Sequence, residues 1–254
     1  MKTLIINVLK KVKLYNPVQR FALSVIQNRS VYQSNADKFY GQFIQNGDLC
    51  FDIGANVGAR AKIFRRLGAK VVCLEPQEEC LKILHSTFKN DNNVKIVGSA
   101  VGATVGSAQL TMSIHNDLIA SLSDKYVKES RFSKDFDDSK TQEVELTTLD
   151  ELIAKFGKPK FCKIDVEGFE LEVLKGLTQP LEYVSLEFAK EFLDDTEKCL
   201  MHLSNLGAKR FTYSEGDSLA PFSSDWYLSV ETLMQKMRTH QNKDFWGDVY
   251  ISFE

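Results

Sequence analysis

The chain has 254 residues, which at a prior of about 150 residues per domain means one large domain or two small ones. Lys plus Arg number 32 and Asp plus Glu 34, a formal charge of −2, which excludes a polybasic nucleic-acid binder. With 43% hydrophobic and 26% charged residues, the composition is globular and neither disordered nor collagen-like.

The first 36 residues carry Lys2, Lys10, Lys11, Lys13, Arg20 and Arg29 and no acid. This pattern reads as a helix packed on the domain with a solvated basic face; the alternative is an amphipathic helix making peripheral contact with an anionic membrane. The apolar run 4–9 is too short for the core of a signal peptide, and no stretch reaches the roughly 18 apolar residues of a membrane span. Five cysteines, an odd number with no C-x-x-C pair, suggest neither a disulfide framework nor a zinc ribbon, and the expected setting is the reducing cytoplasm. A second helical pattern at 31–43, with Tyr32, Phe39, Tyr40 and Phe43, leads to the turn Asn46-Gly47-Asp48. The expected organisation is an N-terminal helical extension over 1–46 and one α/β domain over 47–254.

From residue 49 the chain alternates near-continuous apolar runs (49–53, 71–75, 94–97, 161–165, 183–188) with helical patterns at 59–67, 78–90 and 170–174. Runs of that kind are how parallel strands covered on both faces read, and the βαβαβ order predicts a doubly wound, mostly parallel sheet. The first run ends Phe51-Asp52-Ile53-Gly54-Ala55-Asn56-Val57-Gly58 and opens a helix. Two glycines four apart let the backbone approach a ligand, as in dinucleotide folds, but Asp52 precedes them, and a carboxylate there repels a pyrophosphate. It suits a cationic, phosphate-free nucleotide such as S-adenosylmethionine. The second run ends Glu75-Pro76, 21 residues after Gly54, where an acid hydrogen-bonds ribose hydroxyls. After the third run, Ser99 and Ala100 fall in the loop that meets the base.

Two further strand patterns, 107–114 and 143–148, flank a charged connection, 123–140, expected to be a binding lid or plain disorder. An insert over about 107–148 follows. His115 closes the first of these strands, and an imidazole titrates near neutrality, so it is a candidate general base. The fourth apolar run ends Lys163-Ile164-Asp165-Val166-Glu167, with alternating charges on one side of its tip. Asp165 is the first candidate for acceptor chemistry, with helix capping as the bland alternative. The chain closes with a helix near 194–206 and strands at 210–213 and 248–253. Trp226, Tyr227 and Trp246 are expected in the core, with stacking on a sugar as the alternative.

At these residues the sequence resembles the FkbM-type methyltransferases. The matching pieces are 51–58, Leu-Glu-Pro at 74–76, Leu-Thr-Thr-Leu-Asp at 146–150, Lys-Ile-Asp-Val-Glu-Gly-Phe-Glu-Leu-Glu-Val-Leu-Lys-Gly at 163–176 and Ser-Leu-Glu-Phe at 185–188. The resemblance implies a Rossmann-like class I methyltransferase fold and transfer of methyl from S-adenosylmethionine to oxygen. Donor contacts would be Asp52, Gly54, Ala55, Asn56, Gly58, Glu75, Pro76, Ser99 and Ala100. Asp165 would be catalytic, with His115 second, and Lys163, Glu167 and Glu187 would touch the acceptor, a sugar, glycan or secondary-metabolite hydroxyl. Ala59-Arg60-Ala61-Lys62 stands where the family often begins its helix with an aromatic or hydroxyl residue, leaving Arg60 to meet the donor's carboxylate. The rival readings are an NAD-dependent oxidoreductase and a non-catalytic donor- or glycan-binding module on the same fold, with metal-assisted transfer through Asp165 as a third, mechanistic alternative. No complete metal set, G-x-S-x-G, H-E-x-x-H or Walker loop is present.

Overall fold

The computed structural model describes residues 33–115, 119–216 and 226–254, so the basic segment read at 1–36 lies almost wholly outside them. Seven strands form one sheet: β1 (Leu49–Ile53), β2 (Lys70–Leu74), β3 (Val94–Val97), β8 (Phe161–Ile164), β9 (Tyr183–Ala189), β10 (Arg210–Glu215) and β11 (Trp246–Ser252). Their order is β10-β11-β9-β8-β1-β2-β3, and β11 alone runs antiparallel to its two neighbours. The strand order reverses between β1 and β8, and ligands of open α/β sheets bind at the carboxyl ends of strands at such a point.

Period-two alternation divides the core between the sheet's faces. Phe51 and Ile53 of β1, Val72, Leu74, Cys162 and Ile164 point one way, toward helices α4 (Leu149–Phe156), α5 (Glu170–Lys175), α6 (Leu193–Asn205) and α7 (Val230–Arg238). Cys50, Val71, Cys73 and Phe161 point the other way. They meet Ala61, Ile63 and Phe64 of α1 (Ala59–Arg66), Leu84 of α2 (Glu78–Phe88), and Phe39, Tyr40 and Phe43 from the N-terminal helical segment. All five cysteines are buried and unpaired; Cys50, Cys73 and Cys162 lie in the apolar strands, Cys80 and Cys199 in helices.

The insert is a second, four-stranded sheet in the order β4-β7-β5-β6, made of β4 (Ala100–Val101), β5 (Gly106–Ser113), β6 (Ala120–Ser121) and β7 (Phe136–Thr147). Its small apolar core is Ala100, Leu110, Ala120 and Val144. The charged connection is not disordered, and several of its residues line the cavity as a binding loop would. Ser123 caps α3 (Asp124–Glu129) by accepting the Tyr126 N–H, and a turn of 3₁₀ helix leads into β7, whose twelve residues reach back to Phe136. Alternation of charged and apolar residues had marked only the end of that strand.

Candidate active site

The turn after β1 is built from four backbone devices. Gly54 has φ +78, and a Cβ there would lie 1.9 Å from the Asp165 carbonyl oxygen, so only glycine lets this turn touch the tip of β8. Asn56 has φ +49 without being glycine, and its side chain accepts the N–H of Val57 at 2.8 Å. Gly58 is left-handed at the start of α1, where a Cβ would press on Phe88 and Leu84 of α2. Asp52, 2% exposed, reaches from β1 to accept the Ala61 N–H at 3.0 Å, capping a helix whose own N-cap residue offers no side-chain bond.

Glu75, 3% exposed, braces this turn from β2. One carboxylate oxygen accepts the Asn56 N–H at 2.8 Å and the other the Gln77 N–H at 2.9 Å. Burial pushes its pKa up to about 7, against the pull of these bonds, and burial likewise raises Asp52 to about 6 despite Lys163 and Arg60. The side-chain oxygen of Gln77 is buried without a hydrogen-bond partner.

These groups open on a cavity of about 740 Å³ at the sheet's carboxyl edge. Of the expected donor contacts, Asp52, Gly54, Ala55, Asn56, Glu75, Pro76, Ser99 and Ala100 line it, joined by Gln77 and Arg60. Gly58 does not; its missing side chain serves the packing of α1 on α2.

At the other end stand Asp165, Glu167 and Glu187, each offering a carboxylate oxygen within 4.8 Å of the others, a spacing that suits three hydrogen-bond acceptors or a bridging cation. Lys163 lies beneath them, 1% exposed, with its ammonium 2.7 Å from Asp248 and 3.3 Å from Asp165. It does not line the cavity expected of an acceptor contact. Burial disfavours its charge, but Asp165, Asp248 and Glu187 together hold it above the ordinary lysine range. Asp165 does not cap the helix that follows, α5, which has no side-chain cap; Glu170 instead ties down the preceding loop, its carboxylate accepting the N–H groups of Val166 and Gly168 at 3.1 and 3.2 Å. Glu167 is the second non-glycine residue with positive φ (+54) among the described residues. Ser121 donates to its carbonyl at 2.7 Å, and the Tyr126 hydroxyl donates to its carboxylate. Strained residues of this kind persist where the surroundings over-determine them.

His115 lines the cavity from an exposed position on the insert. Trp246, expected in the core, is also on the wall, half-buried. Residue types alone did not mark Tyr126, Arg131 or Glu191, which the insert and the end of β9 bring in. Arg131 is forked onto Glu191 at 2.7 and 2.5 Å. Gln77, two residues past Glu75, was the missed group with a local signal.

The Methyltransferase FkbM domain profile matches residues 52–210, from the capping aspartate to the start of β10. The chain belongs to this family. It is a methyltransferase, and S-adenosylmethionine is its methyl donor. The hexuronic acid methyltransferase AglP of Haloferax volcanii is 28% identical over 146 residues, 56% of this chain and 54% of that protein. The chain thus matches about half the length of that relative. Among solved structures, the precorrin-6y C5,15-methyltransferase of Geobacter metallireducens aligns over 89% of this chain and 87% of its own, at 12% identity and a TM-score of 0.45. A TehB-like SAM-dependent methyltransferase of Corynebacterium glutamicum aligns over 93% and 100%, at 12% identity and a TM-score of 0.44.

Proposed function

We propose that this FkbM methyltransferase methylates a hydroxyl oxygen of a sugar or glycan. The observation that carries the reading is the ring of carboxylates at the acceptor end, Asp165, Glu167 and Glu187, on a cavity that also has the indole of Trp246 in its wall. Carboxylate oxygens are acceptor-only groups that suit clustered O–H donors, and an aromatic face suits a sugar ring. The name of the Haloferax volcanii relative, which specifies a hexuronic acid, supports a sugar as acceptor class.

The donor end fits its ligand. Each Glu75 oxygen accepts one backbone N–H and so has capacity for a further hydrogen bond, and the orphaned Gln77 oxygen would accept one from a donor such as a ribose hydroxyl. When bound, S-adenosylmethionine supplies a methyl group already activated on a sulfonium. Asp52, buried at the floor, contributes negative charge toward that cation. Arg60, 4.0 Å from Asp248 on the wall, is placed for the donor's carboxylate. Asp165, at the tip of β8 against the Gly54 turn, accepts a hydrogen bond from the reacting hydroxyl and fixes its line of approach. The test is incubation with isotopically labelled donor and a panel of hexosides, with the methylated atom located by mass spectrometry. A labelled methyl ether on sugar supports the reading, and transfer only to a non-sugar acceptor removes it.

A further inference from the structure

We infer that Glu187 takes the acceptor's proton during methyl transfer. This rests on the reading of the reaction as transfer to a hydroxyl. Three carboxylates converge at the acceptor end within 4.8 Å, and two are already engaged. Asp165 faces the Lys163 ammonium at 3.3 Å, and Glu167 receives the Tyr126 hydroxyl. To Glu187 the described residues bring no hydrogen-bond donor.

Its place in the sheet sharpens the point. Glu187 on β9 stands directly opposite Asp248 on β11, and like charges opposite each other on neighbouring strands destabilise a sheet. Asp248 is satisfied by Lys163 at 2.7 Å and by the Tyr250 hydroxyl at 3.3 Å, with Arg60 nearby at 4.0 Å. Glu187 shares none of these bonds. The charged and titratable groups around it are Lys163, Asp165 and Glu167 from β8 and its loop, Asp248 from β11 and Tyr126 from α3. Burial, then Asp165 and Glu167, lift its pKa well above the ordinary carboxylate range, with Lys163 opposing. A carboxylate left without a donor in a cavity wall serves folding poorly and proton transfer well.

The chemistry balances. Transfer breaks the donor's S–CH₃ bond, leaving the electron pair on sulfur, and forms an O–CH₃ bond from a hydroxyl lone pair. The hydroxyl proton passes to a Glu187 carboxylate oxygen. The donor's positive charge, bound in the same cavity, would favour the ionised form of Glu187 before transfer, and its loss when sulfur becomes neutral would favour the protonated form afterward.

Infrared difference spectra of wild type against Glu187→Gln, free of donor and acceptor, read this carboxyl directly. The protonated C=O band should persist above the pH at which an exposed glutamate ionises and be missing from the variant. A band that titrates in the ordinary glutamate range overturns the assignment. With a sugar that wild type methylates, Glu187→Gln should lower kcat by about 100-fold or more and abolish the acid limb of the kcat–pH profile. Donor affinity should stay within about threefold, and Asp165→Asn should keep that limb. Turnover by Glu187→Gln within about threefold of wild type also overturns it. If wild type methylates a hydroxyl other than a sugar's, the sugar reading falls and the same kcat–pH comparison with that acceptor decides the role of Glu187; if it methylates no hydroxyl at all, the assignment falls with it.

Discussion

Glu75 and Asn56 lock the donor end together: the Asn56 N–H, held at φ +49, donates to the Glu75 carboxylate at 2.8 Å across 19 residues of chain. Glu75 is therefore a brace of this turn and, on the proposed reading, a ligand group as well. Replacing it with Ala should weaken S-adenosylmethionine binding by about 1.5–3 kcal/mol, the range for a hydrogen bond to a charged group. The N–H groups of Asn56 and Gln77 lose their acceptor as well, so the melting temperature should fall with the affinity. Calorimetry and thermal unfolding of the same variant check both; unchanged affinity takes Glu75 out of the site.

The same burial sets a pH dependence. Glu75 and Asp52 have folded-state pKa values raised to about 7 and about 6, so the folded protein binds their protons more tightly than the unfolded chain. Their contribution to stability is complete at acid pH and is lost as pH rises through those values. Acids shifted the other way, such as Glu191 beside Arg131 and Asp195 beside Lys125 and Lys198, are already ionised in this window. The melting temperature of the donor-free protein should decline between about pH 5 and pH 8, and less steeply for Glu75→Gln. A rise over that range contradicts the burial argument.

Gly54 is the most constrained point of the turn. A methyl group there meets the Asp165 carbonyl at 1.9 Å in a left-handed conformation, a backbone clash no rotamer relieves. Gly54→Ala should destabilise the protein by roughly 3 kcal/mol or more and abolish donor binding, as measured by denaturant unfolding and calorimetry. A variant of normal stability would mean that the turn and the β8 tip do not touch.

Much of this was legible in the sequence, for identifiable reasons. The strands of the main sheet announced themselves because burial on both faces forces continuous apolar runs, and Asp52, Glu75 and Asp165 stood out at the ends of such runs. The helices α3, α4 and α7 were not read, although α1 and α5 are comparably short, and α4 carries a local signal in Thr148, whose side chain accepts the Glu151 N–H. Nor does residue type reveal that Lys163 is buried beneath the acids, or that Glu170 rather than Asp165 ties down the loop. Those facts depend on β11 supplying Asp248 and on the loop's path. The meeting of Tyr126 with Glu167 spans 41 residues and exists only because the insert folds onto the β8 tip.

On the proposed reading, that meeting makes the insert part of the acceptor site. Tyr126→Phe removes the hydrogen bond to Glu167 while keeping the ring, which stacks near Phe192. The acceptor KM should rise by roughly tenfold, about the worth of one charged hydrogen bond, with donor affinity unchanged. Amide exchange over 124–129 should be protected in the absence of ligands, and fast exchange there would revive disorder in this segment.

Asp165 and His115 separate on exposure and partners. Asp165→Asn should keep donor binding and lower turnover by roughly 100-fold, while His115→Ala, altering an exposed rim residue, should stay within about threefold of wild type. A dead His115→Ala beside an active Asp165→Asn would place the chemistry on the insert.

The most direct test of the proposed reaction is the atom that receives the methyl group. Labelled S-adenosylmethionine should be offered with matched neutral and uronic acid glycosides, and the products sequenced by tandem mass spectrometry. A labelled methyl ether on a ring hydroxyl is expected. Label found only as a methyl ester on a carboxylate, or only on nitrogen, would contradict it.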